Sequence, residues 1–387
     1  MSVFDEGTEI SFYDGVPDDI RAKHEEWHNL LNRLSQKLRS KGLPSQAVFE
    51  ITPLCNLSCK MCFVRLDKDK MDSMGKLMTA EQWKSITEQT AELGALTILI
   101  TGGEPFMHPE FVDIYVNIIK LGFRVILYTN AVMLSNKIIE TLKKYPPHYL
   151  YVTIYGASEE TYEKVCGNGK AYGNVVKNIK ILKDILKDIP FELRTTIISD
   201  NMKDIYDLKR FAEQMQMVFS IGFGTIKPVR GAEAHDIEKI RLSAEEIINL
   251  KKEFLVSIKD KRLYNIYEKG IRTQEEKLLR YNGRTINITA DMKNLNCAAA
   301  NYIYTISWDG KMLPCQNFSY PYVLPLDLGI NAAWNELKNI RNIVKVPDRC
   351  IKCKHRYYCG TCPATVQAES GTYIESEPYK CMLCCDK

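Results

Sequence analysis

Residues 47–62 read Ala47-Val-Phe-Glu-Ile-Thr52-Pro-Leu-Cys55-Asn-Leu-Ser-Cys59-Lys-Met-Cys62. The opening apolar residues predict a short strand over Ala47–Thr52, and a loop with three cysteines follows it directly. In a parallel barrel the loops after the strands form the rim where active sites are built. Spacings of four and three residues let three thiolates approach from one loop. A structural zinc site closes on four ligands, and an iron–sulfur cube also takes four. Three cysteines therefore leave one coordination position open, which is a catalytic arrangement. Thiols that merely pack as small hydrophobes are the alternative, but packing gives no reason to gather three at one rim.

Downstream, strands and helices alternate. Thr79-Ala-Glu-Gln82 fits a capping box opening a helix to about Leu93. Strands are predicted at Leu96–Thr101, Phe123–Tyr128, Leu150–Tyr155, Phe191–Ile198 and Val218–Phe223. Between them fall helices from Pro109 to Gly122, Ser135–Lys144, Gly173–Asp188 and Met202–Met215. Apolar strands bounded by helices of this length indicate βαβ units and a parallel sheet. Six units predict a partial (β/α)6 barrel of TIM type, with a doubly wound open sheet as the alternative. Residues 1–46 form an extension whose apolar residues Ile20, Trp27, Leu30, Leu31, Leu34 and Leu38 mark a helix over 17–41. The core runs over 47–230, a charged helical bridge over 231–296, and a cysteine-rich segment over 297–387. That last segment has little apolar periodicity, so bound metal is expected to supply part of its stability.

The 387 residues carry 52 basic and 48 acidic side chains, a net charge of +4. That balance favours neither nucleic acid nor a membrane surface as partner. No apolar run reaches the roughly 18–20 residues of a membrane span. Met1–Tyr13 holds Asp5, Glu6 and Glu9 and no basic residue, which is unlike a targeting peptide. The chain is expected in the cytoplasm, where clustered cysteines read as metal ligands rather than disulfides.

The Cys55–Cys62 pattern, with Met61 before its last cysteine, resembles the C-x3-C-x2-C signature of the radical S-adenosylmethionine (SAM) enzymes. The resemblance covers about residues 47–226. It implies that Cys55, Cys59 and Cys62 hold a [4Fe–4S] cluster whose fourth iron is chelated by SAM. It further implies reductive cleavage of SAM to a 5′-deoxyadenosyl radical that abstracts hydrogen from a substrate. Gly102-Gly103-Glu104-Pro105, after the second core strand, looks like the family's "GGEP" motif. Paired glycines let backbone come close to a ligand, and Glu104 offers a carboxylate to an ammonium group. Further SAM contacts implied by position are Asn130, Thr153 and Arg194, each of which also has a structural reading as strand-end cap, β-former or snorkelling cation.

The C-terminal pattern resembles the SPASM extension of this family. Twelve residues separate Cys297 from Gly310, four separate Gly310 from Cys315, and Cys350-x2-Cys353-x5-Cys359-x2-Cys362 and Cys381 follow. The Cys359–Cys362 spacing is one residue shorter than the family's pattern. The resemblance implies two auxiliary iron–sulfur clusters. Cys350, Cys353, Cys359 and Cys381 would hold one, and Cys297, Cys315 and Cys362 the other, which is left with an open iron or completed by a non-cysteine ligand or by Cys384 or Cys385. Two zinc sites built on the C-x2-C pairs are the rival reading.

Enzymes with this extension commonly crosslink or oxidise ribosomally made peptides, so the resemblance implies a precursor-peptide substrate and a flavodoxin or ferredoxin as reductant. Formylglycine formation on a sulfatase and a small-molecule substrate are alternatives within the class. A non-catalytic iron–sulfur carrier or a zinc-stabilised binding module is the alternative outside it. His24-Glu-Glu-Trp-His28 matches the metalloprotease helix pattern but has no third ligand nearby and reads as part of an amphipathic helix. These assignments separate by mutation: Cys59→Ala is expected to abolish 5′-deoxyadenosine formation, whereas Cys353→Ala keeps some and loses product. Chromatography of quenched anaerobic reactions reads both, and wild-type behaviour of both variants overturns the ligand assignment.

Overall fold

A computed structural model describes residues 9–233, 236–257, 298–344, 348–351 and 362–372. One nine-stranded sheet organises them, in the order β1-β7-β6-β5-β4-β3-β2-β8-β9. The strands are β1 (Glu9–Phe12), β2 (Gln46–Glu50), β3 (Thr97–Thr101), β4 (Arg124–Thr129), β5 (Tyr149–Thr153), β6 (Phe191–Thr196), β7 (Val218–Gly222), β8 (Ile303–Ile306) and β9 (Met312–Leu313).

β2 to β7 are the six predicted strands, and each pairs in parallel with its neighbour in sequence. A doubly wound sheet reverses its order at a switch point; this order never reverses, so the chain is an open partial (β/α)6 barrel. Right-handed crossovers repeated in one direction place every connecting helix on the outer face. Outward-pointing Ala47, Phe49, Ile98, Ile100, Val125, Leu127, Leu150, Val152 and Leu193 are accordingly fully buried.

Local chemistry accounts for the helix starts. The Thr79–Gln82 capping box is formed in both directions, and Ser135 caps the helix Asn136–Lys144. Two expectations shift. Pro109 does not open a helix: Glu104 and Pro105 start a single tight turn over Pro105–Met107, and the helix begins at Phe111. The helix expected from Gly173 starts at Ala171. Sequence reasoning missed the helix Glu159–Cys166, although Ser158 caps it and Gly167 ends it in the left-handed region with φ +66. Of the predicted bridge, residues 237–240 and 244–257 are helical, and its remainder from 258 lies outside the described residues.

The flanking segments join the same sheet. β1 pairs antiparallel with β7, so the N-terminal extension contributes a strand as well as the helix Asp18–Ser40. β8 lies parallel to β2 on the other side. Weak sequence periodicity over 297–387 hides real apolar packing, because β8 is short and buried on both faces. Tyr304 and Trp334 are fully buried, with ring centroids 5.8 Å apart. The Tyr304 hydroxyl lies 2.8 Å from that of Thr90, and Trp334 Nε1 donates to the Gly42 carbonyl at 2.9 Å. Trp334→Ala removes this plug and is expected to cost about 3–5 kcal/mol, read as a large fall in the melting temperature of metal-free protein by circular dichroism.

Candidate active site

The three-cysteine loop leaves β2 and the Gly102–Pro105 strip leaves β3, two strands paired in register from Gln46↔Thr97 to Glu50↔Thr101. Both loops therefore emerge side by side on the C-terminal rim. They are clamped together by backbone: Gly103 N–H donates to Thr52 O at 2.7 Å, and Glu104 N–H to Leu54 O at 2.9 Å. A β-carbon on Gly102 would lie 2.3 Å from Thr52 O, and one on Gly103 2.4 Å from Leu54 O. The neighbour these glycines admit is thus the cysteine loop's own backbone.

Glu104 is fully buried and braces the next strand. Its carboxylate accepts from Asn130 N–H (2.7 Å), the Thr129 hydroxyl (2.8 Å) and Phe106 N–H (3.2 Å). Burial raises its pKa to about 7 against these three donors. Pro105 is buried at the start of the turn that follows. Asn130, just past β4, reaches back to the cysteine loop: Nδ2 donates to Asn56 Oδ1 at 2.8 Å and to Cys55 Sγ at 3.4 Å.

A third set of bonds comes from the helix Glu159–Cys166. Ser58 N–H donates to Cys166 O and Lys60 N–H to Val165 O, both at 2.9 Å, and Lys60 Nζ meets Asp200 at 2.7 Å. Cys166, isolated in sequence, is buried and lies beside Cys59 in space. The neighbouring Cys166 thiol and then burial push the Cys59 thiol well up. Burial pushes up Cys55, with Glu104 adding to it, and lifts Cys62 to about 11, with Cys59 adding to it. A cationic metal would reverse this penalty on the thiolates.

Among the described residues no three metal-binding side chains converge tightly enough to hold one metal ion. A single zinc needs that convergence, whereas a four-iron cube attaches each thiolate to a different iron. Three mutually interacting thiols on one hydrogen-bonded loop, Cys59 buried and Cys55 and Cys62 partly buried, fit the cube.

Thr153 and Arg194 lie opposite each other on β5 and β6. Arg194 sits in a network on the inner face of the sheet: Nε donates to Glu192 Oε1 at 2.6 Å, Nη1 to the Tyr128 hydroxyl at 3.0 Å, and the guanidinium lies 4.2 Å from the Tyr151 ring centroid. Glu192 also accepts from the Tyr149 hydroxyl at 2.7 Å. Sequence reasoning missed Glu192 and the three tyrosines. Period-two alternation of Tyr149, Tyr151 and Thr153 along β5, and of Glu192 and Arg194 along β6, was the available signal.

Of the C-terminal cysteines, Cys350 is buried and Cys315 and Cys362 are partly buried. Cys297, Cys353, Cys359 and Cys381 lie outside the described residues, as do Cys384 and Cys385. Gly310 has φ +83 and seats against Leu326 and Met78. No helix among the described residues is long and apolar enough to cross a membrane.

The clamp on the cysteine loop makes Gly103 a sensitive position. Gly103→Ala is expected to leave the barrel folded and to lower bound iron by more than half after anaerobic reconstitution, measured as iron per chain beside a circular dichroism spectrum.

Comparison with known proteins agrees with this geometry. Residues 49–212 match the Radical SAM superfamily. The chain is 26% identical over 352 residues to the AdoMet-dependent heme synthase of Methanosarcina barkeri, covering 87% of this chain and 96% of that protein. It is 25% identical over 256 residues to the subtilosin biosynthesis protein AlbA of Bacillus subtilis, covering 59% of this chain and 55% of that one. Streptococcus suis SuiB bound to its precursor peptide SuiA shares the fold, with a TM-score of 0.62 at 16% identity, over 92% of this chain and 81% of that one. Residues 49–212 thus match a Radical SAM superfamily domain, and with these enzyme relatives that match supports a SAM-dependent radical enzyme.

Proposed function

We propose that this enzyme abstracts hydrogen from a peptide, as the first step of an oxidative modification or crosslink in a ribosomally made precursor. The observation that carries the reading is the likeness to AlbA, a bacteriocin biosynthesis protein, and the fold shared with SuiB, whose solved complex holds a precursor peptide. Cys55, Cys59 and Cys62 would hold the [4Fe–4S] cluster. Gly102, Gly103, Glu104, Pro105, Asn130, Thr153 and Arg194 would line the SAM site. Bound there, cluster and SAM supply a 5′-deoxyadenosyl radical. The chain's own part is to hold the loop rigid through Asn130, Glu104 and Lys60, and to present a hydrogen-bonded polar inner face that orients what binds there.

Cys297, Cys315, Cys350, Cys353, Cys359, Cys362 and Cys381 would form a SPASM extension with two auxiliary iron–sulfur clusters, which accept the substrate electron in a net two-electron oxidation. The reductant would be a flavodoxin or ferredoxin. A tetrapyrrole substrate is the second reading, favoured by the heme synthase relative, which aligns over nearly its whole length.

Incubating reconstituted enzyme with SAM, dithionite and either a precursor peptide encoded near its gene or Fe-coproporphyrin III separates the two. The peptide is expected to lose two mass units or multiples of two, with 5′-deoxyadenosine formed in proportion. Side-chain loss from the porphyrin and an unchanged peptide would establish the second reading.

A further inference from the structure

The segment after β7 makes a turn at Val229–Ala232 that touches both cysteine-bearing regions. Val229 N–H donates to Phe63 O at 2.9 Å, one residue past Cys62. Arg230 N–H donates to the Ser319 hydroxyl at 3.3 Å. The Arg230 guanidinium then divides. Nη2 meets Glu50 Oε2 at 2.7 Å, at the end of β2. Nη1 donates to the carbonyls of Gln316 and Phe318, the latter at 2.8 Å. Phe318 N–H in turn bonds to Cys315 O at 3.1 Å. One side chain thus ties the strand that launches the first cysteine loop to the loop that begins at Cys315.

Two features set this apart from an ordinary ion pair. Arg230 has φ +50, in the left-handed region that a β-carbon disfavours. Such a backbone persists only where its surroundings over-determine it. A plain counter-ion for the buried Glu50 would also need only a point charge, which lysine supplies. The planar fork of arginine is what reaches two carbonyls and a carboxylate together.

We infer that Arg230 is a positioning residue that fixes the Cys315 loop against the barrel mouth, so that groups bound at the two cysteine sets are held at a set separation. The positioning itself stands on the hydrogen bonds; its meaning for a second metal site rests on the reading of Cys315 as an iron ligand.

The test compares metal-free wild type with Arg230→Met, the double variant Glu50→Gln/Arg230→Met, and Glu369→Gln. Glu369→Gln loosens a separate tie, the Arg241–Glu369 pair at 3.0 Å that seats the helix Pro363–Ser370. Hydrogen–deuterium exchange of residues 315–320 and alkylation of Cys315 are the readouts. Both are expected to speed up about tenfold or more in Arg230→Met, because losing the tie lowers the free energy of local opening, and to stay near wild type in Glu369→Gln. The double variant restores the melting temperature, because no unpaired charge is left buried, but leaves exchange and alkylation fast.

Wild-type exchange in Arg230→Met overturns the inference. So does full restoration by the double variant, which would make Arg230 a counter-ion only. A separate arm counts iron in the Cys55→Ala/Cys59→Ala/Cys62→Ala background, with and without Arg230→Met. Retained iron that falls with Arg230→Met, with a changed electron paramagnetic resonance line shape, supports the full inference. If no iron is retained even with Arg230 present, the reading of Cys315 as an iron ligand fails, while the exchange result still decides the positioning role.

Discussion

The parallel pairing of β2 with β3 is the constraint on which the site depends. Because Glu50 sits opposite Thr101, the two loops that follow start level on the same rim. Backbone then meets backbone so closely that neither Gly102 nor Gly103 can carry a side chain without displacing the cysteine loop. The loop gains what an eight-residue stretch with only Leu57 and Met61 as buried aliphatic anchors lacks by itself, a fixed conformation. Asn130 and the end of the helix Glu159–Cys166 hold it from two further directions, so four core elements position three sulfur atoms.

The inner face of the barrel is chemically distinct from the outer. Outward side chains such as Phe49, Ile98 and Val125 are apolar and closed over by helices, whereas inward ones include Glu192, Arg194, Tyr128, Tyr149 and Tyr151 joined in one network. Charges removed from water are tolerated only when paired and hydrogen-bonded, and here each charge has both. Arg194 accordingly meets a carboxylate that the protein itself supplies, and Glu104 likewise meets three of the protein's own donors. Both residues are tied first to the scaffold, which gives the rim a rigid polar lining before any ligand arrives.

The C-terminal region shows how a segment with weak periodicity becomes structured. β8 adds to the barrel beside β2 and inherits a ready-made partner strand and a ready-made core. Strand Ile303–Ile306 is too short to show a pattern in sequence, yet all four residues are buried. The turn at Arg230 couples the next loop to the mouth of the barrel, so the cysteine at position 315 is placed by the core and not by local propensity.

The sequence by itself determined the six parallel strands, most of the helices between them, and the three-cysteine loop that follows the first of those strands. Those signals are local: apolar runs of strand length, a Thr79–Gln82 capping box, and thiols at fixed spacing within one loop. Tertiary structure alone decided that Cys166 lies beside Cys59, that Tyr128 meets Arg194, that Glu50 answers Arg230, and that β1 and β8 extend the sheet at its two sides. Each of these joins residues brought together by strand order and register, or buries a charge whose partner is distant in the chain. Pairing across such separations is fixed by the free energy of closing the whole sheet, and no short window of sequence contains it.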